Sequence, residues 1–358
     1  MDRKMRGLFI LLFVAFCLYL FVNVEPAQLE ELLGKQPQTE QVELGDSKNE
    51  EEQAVIQSKI QSSDTVEGIA SFIGKTEKEL LHTYGEPVRK DLSAYDYEWY
   101  IYHIYPEEYV QFGVENGKVV TAFSTGAKSE NSPFQIGQAY DSLDEEWSFA
   151  DSVTVLYEEG SYRFEMKEEE LQTRPLVLLG DVYVQLYFDS FDKKLSSIRY
   201  LNAETLIKQR PYELVYRGPL LDPKELNSEE WKAVEAGAEQ QIIDFTNMIR
   251  HRFELAPVEW HDETANVAFL HSKDMKDADY FSHTSPTSGS LSDRLTTGNV
   301  PFQYAGENIA AQYVDGIAAV EGWLNSEGHR KTLLNERFTH LGVGVNEKYY
   351  TQNFIETW

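Results

Sequence analysis

Three short polar segments in the last third of the chain carry the residue types that could do chemistry. They are residues 280–283 (Tyr-Phe-Ser-His), 305–310 (Ala-Gly-Glu-Asn-Ile-Ala) and 323–330 (Trp-Leu-Asn-Ser-Glu-Gly-His-Arg). Their central groups are His283, Glu307 and His329. A bare carboxylate in an apolar, strand-like run is costly unless it is paired or bound to a cation. We therefore predict that the three segments meet in one cleft.

Two imidazoles and a carboxylate suit a borderline divalent cation such as zinc, so His283, Glu307 and His329 are candidate metal ligands. A hydrogen-bonded cluster that ties the three segments together is an equally open alternative. Nucleophilic catalysis has less support, because the one cysteine is Cys17 and no Gly-x-Ser-x-Gly motif is present. Ser326 is expected to cap the helical turn that contains His329.

The charge balance limits the partners that this chain can bind. Its 358 residues contain 32 Lys and Arg against 60 Asp and Glu, which gives a formal net charge of −28. A chain this acidic lacks the basic surface that nucleic acid requires, and anionic lipids and wall polymers should repel it. Because Cys17 lies in the apolar N-terminal run, the remaining residues form no disulfide and fold by packing alone.

The N-terminal residues are predicted to anchor the chain in a membrane. Residues 7–24 are uncharged and almost wholly apolar, and as a helix they span about 27 Å, close to the hydrocarbon thickness of a bilayer. The basic flank at residues 3–6 places the N-terminus in the cytoplasm and the rest outside. Signal cleavage followed by secretion is the alternative, although residues 24–27 make a poor cleavage site. Residues 25–68 are acidic and free of aromatic side chains, so we predict a disordered tether.

Residues 69–218 contain a weak internal repeat. Ile-Gly at 73–74 and 136–137 is followed six residues later by leucine, and Tyr-Val-Gln recurs at 109–111 and 183–185. Each half predicts a short helix followed by an antiparallel meander, with Asn-Gly at 116–117 as the clearest hairpin turn. The many tyrosines fill a sheet face or, if exposed, mark a surface for a partner.

A connector at residues 219–228 leads to the last domain, residues 229–358. Asn227 and Glu230 predict a capping box for a long amphipathic helix, and Asp262 and Asp315 are expected to cap two more helices. We predict three strands, at residues 304–311, 341–346 and 349–357, and the last two should form a hairpin. Glycines alternate along residues 341–345, which suits close packing on a strand and not a phosphate loop. The chain is therefore α+β.

The last domain resembles the CAP superfamily of cysteine-rich secretory, antigen 5 and pathogenesis-related 1 proteins, in its bacterial form. The matching segments are residues 247–250 (Asn-Met-Ile-Arg), 280–283, 306–310, 323–330 and 350–354 (Tyr-Thr-Gln-Asn-Phe). The resemblance implies an α-β-α sandwich with a central cleft. The repeat domain is similar to the domain that precedes CAP in some Gram-positive membrane-anchored proteins.

The resemblance also implies which residues line the cleft. Many eukaryotic relatives hold two His and two Glu there, which can bind a divalent cation; His283 and Glu307 match one of each. Ser326 replaces the other Glu, and Tyr349 replaces the other His. The cleft residues expected here are His283, Glu307, Asn308, Ser326, His329, Tyr350 and Gln352.

Three functions follow as hypotheses. The first is a non-enzymatic module that binds a cell-envelope ligand, namely a wall polymer, a lipid or a protein. The second is a metal-assisted hydrolase in which Glu307 or His283 handles the proton. The third is a structural or assembly role, in which the repeat domain binds a protein partner. We favour the first, because no complete catalytic constellation is visible in the sequence.

Overall fold

The computed structural model describes residues 66–104 and 106–358. The predicted anchor at residues 1–24 and nearly all of the predicted tether lie outside the described residues. The described chain is a mixed α+β protein, which confirms the predicted fold class. It has an N-terminal domain built around one large sheet and a C-terminal domain in which helices pack on a smaller sheet.

The N-terminal domain contains two copies of the predicted helix and meander. The first copy comprises a 3₁₀-helix (Gly68–Phe72), α1 (Glu77–Tyr84), β1 (Arg89–Leu92), β2 (Glu98–Ile104), β3 (Glu108–Glu115) and β4 (Lys118–Thr125). The second copy comprises α2 (Tyr140–Trp147), β5 (Ser152–Tyr157), β6 (Gly160–Glu165), α3 (Glu168–Thr173), β7 (Leu176–Leu179), β8 (Val182–Asp189), β9 (Lys194–Leu201), α4 (Ala203–Gln209) and β10 (Glu213–Arg217).

The two copies share one antiparallel sheet of seven strands, in the order β1-β2-β3-β4-β9-β8-β7. They join where β4 pairs with β9, with Thr121 opposite Leu201. The two Tyr-Val-Gln motifs lie on β3 and β8, which are equivalent strands on either side of this seam. The second copy adds a three-stranded sheet, β10-β6-β5, that the repeat pattern did not predict.

Four tyrosines of the first repeat are interior residues. Tyr95, Tyr97, Tyr100 and Tyr109 are each at most 4% exposed. Tyr95, Tyr97 and Tyr109 pack into a core that continues into the C-terminal domain, whereas Tyr100 packs under α1 and α2. Tyr100 and Tyr109 therefore fill sheet faces, which was the first of the two predicted roles, whereas Tyr95 and Tyr97 reach the core from the loop between β1 and β2.

The C-terminal domain packs helices on a four-stranded sheet of order β11-β13-β14-β12. Its elements are α5 (Ser228–Arg252), β11 (Glu259–Trp260), α6 (Asp262–Asp277), α7 (Leu291–Thr297), β12 (Tyr304–Ala311), α8 (Gly316–Leu324), α9 (Glu327–Leu333), β13 (His340–Asn346) and β14 (Tyr349–Glu356). Pairing is antiparallel except between β11 and β13. Because β12 forms an edge of the sheet, side chains on both of its faces can reach the rim of the domain.

The alternating glycines of β13 let α6 lie directly on the sheet. A Cβ atom at Gly342 would be 2.2 Å from the backbone nitrogen of Ala265, and one at Gly344 would be 1.8 Å from that of Phe269. Both separations are far inside van der Waals contact, so only glycine fits. The predicted close packing is therefore present, and it brings the inner face of α6 next to β14.

The helix caps agree with the sequence except at two positions. Asn227 and Glu230 form the predicted capping box of α5, and Asp315 accepts from the backbone N–H of Ala318 at 3.0 Å. The prediction for Asp262 was wrong: His261 is the N-cap of α6, and its Nδ1 accepts from the N–H of Thr264 at 3.3 Å. The prediction for Ser326 was also wrong, because its side chain does not cap α9.

The two domains share a hydrophobic core and an ion pair. The rings of Phe123 on β4 and Phe245 on α5 lie 5.2 Å apart, edge to face. Arg199 on β9 is 1% exposed and donates two hydrogen bonds of 2.8 Å to the carboxylate of Asp315. Breaking such a buried pair leaves an uncompensated charge. The N-terminal domain is therefore packed against the CAP-like domain as part of its structure.

Candidate functional site

The candidate site is built on β12, whose residues alternate between the two faces of the sheet. Glu307 lies opposite Asn353 and faces α6 and α7, whereas Asn308 lies opposite Gln352 and faces α5 and α9. A strand has a side-chain period of two, so neighbouring residues must separate in this way. The predicted cleft residues therefore divide between two faces that meet at the sheet edge.

Glu307 sits at the centre of a buried ionic cluster. Its side chain is 3% exposed; Oε1 accepts from Nδ1 of His283 at 2.9 Å, and Oε2 accepts from Nη2 of Arg294. Burial alone would raise the pKa of this carboxyl, but the hydrogen bond from His283 and the charge of Arg294 outweigh it, so the pKa lies below its usual value. Glu307 is thus an ionised, fully engaged carboxylate.

Arg294 and His271 complete this cluster, and the sequence analysis did not find either. Arg294, on α7, also donates to the carbonyl oxygens of His283 and Gly289 at 3.0 and 2.9 Å. His271 on α6 is fully buried, with Nε2 at 3.1 Å from the carbonyl of Ser282 and 3.9 Å from Glu307 Oε1. Burial lowers the pKa of His271. The sequence feature that could have revealed them is a polar side chain among apolar neighbours on one helix face, His271 in α6 and Arg294 in α7.

His283 is the member of the cluster that solvent can reach. Its side chain is 52% exposed, although its Nδ1 is held by the buried Glu307. Its carbonyl is fixed by Arg294, so both ends of the residue are positioned from within the protein. An imidazole held in this way presents one edge to an incoming ligand in a defined orientation.

His329 lies beside His283, at the start of α9. The two ring centroids are 6.3 Å apart, with the planes inclined at 43°. Nδ1 of His329 is 2.9 Å from Oγ of Ser326, which explains why that hydroxyl is not used to cap the helix. Burial, together with the nearby His283, lowers the pKa of His329 to about 4. His329 is therefore a neutral imidazole near pH 7, hydrogen-bonded through Nδ1 to the serine hydroxyl.

Behind His329 lies a chain of amide hydrogen bonds. Nδ2 of Asn308 donates to the carbonyl of His329 at 3.2 Å and to Oε1 of Gln352 at 3.3 Å, and Gln352 donates to Thr246 on α5 at 2.8 Å. Asn308 and Gln352 are fully buried. These two residues support the backbone under His329 and do not line the open cleft.

Tyr350 lies apart from this group. Its side chain is 3% exposed and joins the core shared by the two domains, with its hydroxyl 3.4 Å from the carbonyl of Tyr313. Tyr349, at the position where relatives with four ligands have a histidine, packs beside Met275 and Ile309. The structure thus brings together His283, Glu307, Ser326 and His329, places Asn308 and Gln352 behind them, and separates Tyr350 from them.

The donor set does not fit a resident metal ion. Within residues 66–104 and 106–358, no three His, Cys, Asp or Glu side chains are arranged to hold one. Both oxygens of Glu307 are committed, one to His283 and the other to Arg294. The guanidinium supplies the positive charge that a cation would otherwise provide.

The N-terminal domain reaches the rim of this site through the β8–β9 turn. The side chain of Asn325 accepts from the N–H of Ser190 at 2.7 Å and donates to the carbonyl of Phe188 at 3.0 Å. Arg330 pairs with Asp189 at 2.8 Å and lies 4.5 Å above the ring of Phe191. Asn325 and Arg330 flank Ser326 and His329, so the turn holds the segment that carries them.

An α-β-α domain with this edge-strand cleft, preceded by a two-repeat sheet domain, defines the class of protein. A match to the Cysteine-rich secretory protein family (CAP) covers residues 243–358, and a match to the CAP-associated N-terminal family covers residues 73–212. The chain belongs to the CAP superfamily and carries an N-terminal CAP-associated domain. This confirms the resemblance seen in the sequence.

Relatives and solved structures agree with this assignment. The chain is 49% identical over the full length of both proteins to "Uncharacterized membrane protein YlbC" of Bacillus subtilis (strain 168). A structure described as an extracellular protein containing a SCP domain, from Bacillus anthracis str. Ames, is 48% identical; the match covers 82% of this chain and 97% of that one, with a TM-score of 0.78. A cysteine-rich secretory protein of Staphylococcus aureus, 24% identical over 83% and 98% of the two chains, shares the fold with a TM-score of 0.73.

These comparisons support an extracellular CAP-domain family that includes a relative called a membrane protein. Among the helices within residues 66–104 and 106–358, none combines the length and the apolar character that crossing a bilayer requires. The predicted span at residues 7–24 falls outside these ranges, so single-pass anchoring remains a prediction.

Proposed function

We propose that this protein is anchored at the outer face of the cell membrane and that its CAP cleft binds a cell-envelope ligand without chemical turnover. The observation that carries the proposal is the state of Glu307. Its carboxylate is buried between His283 and Arg294, with both oxygens in use. A buried carboxylate whose pKa is held low by these partners is a weak base, so it serves to orient its neighbours and not to take a proton from a substrate.

The Ser326–His329 pair also supports binding over hydrolysis. A serine hydroxyl 2.9 Å from an imidazole is the first requirement of a nucleophile and base. A general base works best, however, when its pKa lies near the working pH. The pKa of His329 is lowered to about 4, which leaves it about a thousandfold less basic than a group poised near 7. The pair is therefore suited to hydrogen bonding with a ligand.

The charge of the chain favours some ligands over others. With a formal net charge of −28, the protein should be repelled by anionic lipids and anionic wall polymers. The cleft presents His283 and Ser326, which bond to neutral hydroxyl and amide groups as well as to charged ones. We propose the uncharged or amide-rich parts of the wall, such as its glycan and peptide, as the ligand class.

Co-sedimentation with purified Gram-positive sacculi, stripped of anionic polymers, tests the proposal. The wild-type protein should sediment with the sacculi in a saturable manner, and His283→Ala should weaken this at least tenfold. Lys331→Ala, an exposed change on α9, is the matched control and should bind as wild type. Release of soluble fragments by the wild-type protein, lost in His283→Ala, would show a hydrolase instead. Equal sedimentation of His283→Ala and Lys331→Ala would show that the cleft does not bind the sacculi.

A further inference from the structure

One edge of strand β12 is open, and it lies in the cleft. In the four-stranded sheet, β12 pairs only with β14. In an antiparallel pair, alternate residues direct both their N–H and their C=O to the neighbouring strand, and the residues between them direct these groups the other way. The N–H of Gln312, just past the end of β12, donates to the carbonyl of Lys348 at 2.8 Å. The even-numbered residues of β12 therefore bond to β14, and the odd-numbered residues face the open edge.

The open stretch of this edge contains Ala305 and Glu307. It ends at Ile309, whose carbonyl accepts from the indole N–H of Trp323 at 3.0 Å, on the side away from β14. In the part of the chain that the structure describes, the backbone N–H and C=O groups of Ala305 and Glu307 make no hydrogen bond to protein. The edge thus presents two donors and two acceptors.

Solvent reaches the backbone of this stretch. Glu307 is partly exposed as a whole residue although its side chain is only 3% exposed, so the exposed surface belongs to its main chain. Gly306 is also partly exposed, and it has no side chain to cover the edge. An incoming chain can therefore approach the N–H and C=O groups directly.

The spacing of these groups matches an extended peptide. Residues that face the same edge of a strand recur at every second position, about 7 Å apart. Ala305 and Glu307 each present a donor beside an acceptor at this interval, and an extended peptide presents the complementary groups at the same interval. Strand addition to an open sheet edge gains its affinity from such main-chain hydrogen bonds.

The charge of the protein and the closed end of the edge define the peptide further. With a formal net charge of −28, the protein should repel an acidic peptide and attract a basic one. Because the indole of Trp323 ends the open edge at Ile309, the added strand lies opposite Tyr304–Glu307.

We infer that the open edge of β12 binds an extended, uncharged or basic segment of a protein, which adds to the sheet as a fifth strand opposite residues 304–307. This goes beyond the function proposed above, because the wall ligand was argued from the side chains of His283 and Ser326. The protein segment is argued from the backbone of β12.

Hydrogen exchange, measured by mass spectrometry on the full-length protein in detergent micelles, tests this inference. The probe is acetyl-Lys-Thr-Val-Thr-Val-Lys-amide. Without the peptide, the amides of Ala305 and Glu307 should exchange rapidly, whereas those of Gly306 and Asn308, which bond to β14, should exchange slowly. The peptide should slow the two fast amides at least tenfold and in a saturable manner. The same peptide with its internal amides N-methylated should have no effect, because it lacks the donors.

Variants of the protein and of the probe locate the binding. Ala305→Pro removes one donor from the open edge and leaves the bonds to β14 in place, since proline is tolerated in an edge strand where the N–H faces away from the sheet. It should weaken the effect of the peptide on Glu307 at least fivefold. Its melting temperature shows whether the fold is kept, and the N-methylated probe tests the inference without any variant. Lys331→Ala, on the exposed side of α9, is the control and should respond as wild type. Replacing both lysines of the peptide by glutamate should weaken its binding at low salt.

Four results would overturn the inference. Unchanged exchange in the presence of the peptide, or equal slowing by the N-methylated peptide, would show that β12 does not add a strand. Equal slowing by chitotetraose would assign the edge to a glycan. Slowing that depends on protein concentration alone would assign it to a second copy of this chain. Because no sacculi are present, each of these results is independent of the test of wall binding.

Discussion

His283 donates a hydrogen bond to one carboxylate oxygen of Glu307, and Arg294 donates to the other. Arg294 also donates to the backbone carbonyl of His283. The arginine is 4% exposed and the glutamate 3%, whereas the histidine they position is half exposed. A buried ion pair thus fixes the orientation of an accessible imidazole. This relationship determines how the cleft should respond to mutation, pH and metal ions.

Arg294→Gln should destabilise the protein strongly. It leaves the Glu307 carboxylate buried without its cation, which typically costs about 3–5 kcal/mol. Urea unfolding measures the change in the free energy of unfolding. Arg337→Gln is the control, because that arginine pairs with Glu356 at the surface with 51% of its side chain exposed, and loss of such a pair costs at most about 1 kcal/mol. Equal effects of the two changes would contradict the buried-pair description.

His329 should make the protein less stable in mild acid. Its pKa is about 4 when folded and lies near the ordinary value of 6.5 when unfolded. Between these values the unfolded chain binds more protons, so the free energy of unfolding falls as the pH drops from 6.5 to 4, by up to about 3 kcal/mol. The comparison is with His329→Gln, which lacks this contribution. Identical pH dependence in the two proteins would show that His329 is not buried as described.

Glu321 should have the opposite pH dependence. Its side chain accepts from Ser196 and Ser197 of the N-terminal domain, and burial raises its pKa to about 7. The folded chain then binds more protons between pH 4.5 and 7, so the free energy of unfolding falls as the pH rises through this range, by up to about 3 kcal/mol. Glu321→Gln should remove that decline, and Glu327→Gln, at an exposed site, should not. Parallel curves for all three proteins would refute the prediction.

Asn325→Ala should loosen the contact between the β8–β9 turn and the start of α9. The change removes the hydrogen bonds to Ser190 and Phe188 and should lower the free energy of unfolding by about 1–3 kcal/mol. Hydrogen exchange of residues 189–193 should accelerate, and the imidazole resonances of His329 should shift. Asn335→Ala is the control, since that side chain accepts from Arg337 in its own turn. An unchanged His329 spectrum would mean that the turn does not position the cleft.

Zinc should not bind tightly at the cleft of the wild-type protein. Arg294 already balances the charge of Glu307, so a cation would have to displace it. Calorimetric titration with zinc should detect no site with submicromolar affinity, and chelator should leave the melting temperature unchanged. One equivalent of tightly bound zinc that is lost in His283→Ala would contradict this prediction and support the metal site predicted from the sequence.

Much of the architecture could be predicted from the sequence because it depends on local patterns. The α+β class, the repeat halves, the capping box at Asn227 and strand β12 follow from hydrophobic periodicity and from residues with strong positional preferences. The convergence of His283, Glu307 and His329 was also predicted, because motifs in the same order as in relatives imply the same fold. The merging of both repeats into one sheet was not predicted, since pairing between β4 and β9 depends on contacts about 80 residues apart.

The chemistry of the site was decided by the tertiary structure. The sequence supplied a histidine and a glutamate in apolar surroundings, but not the cation that Glu307 pairs with. That partner is Arg294, which reaches Glu307 only because α7 packs beside the edge strand. Likewise Tyr350 and Gln352 are two residues apart, yet one joins the core between the domains and the other supports His329. Residue types and order determine which groups are available, whereas strand register and helix packing determine which of them meet, because both depend on contacts between distant parts of the chain.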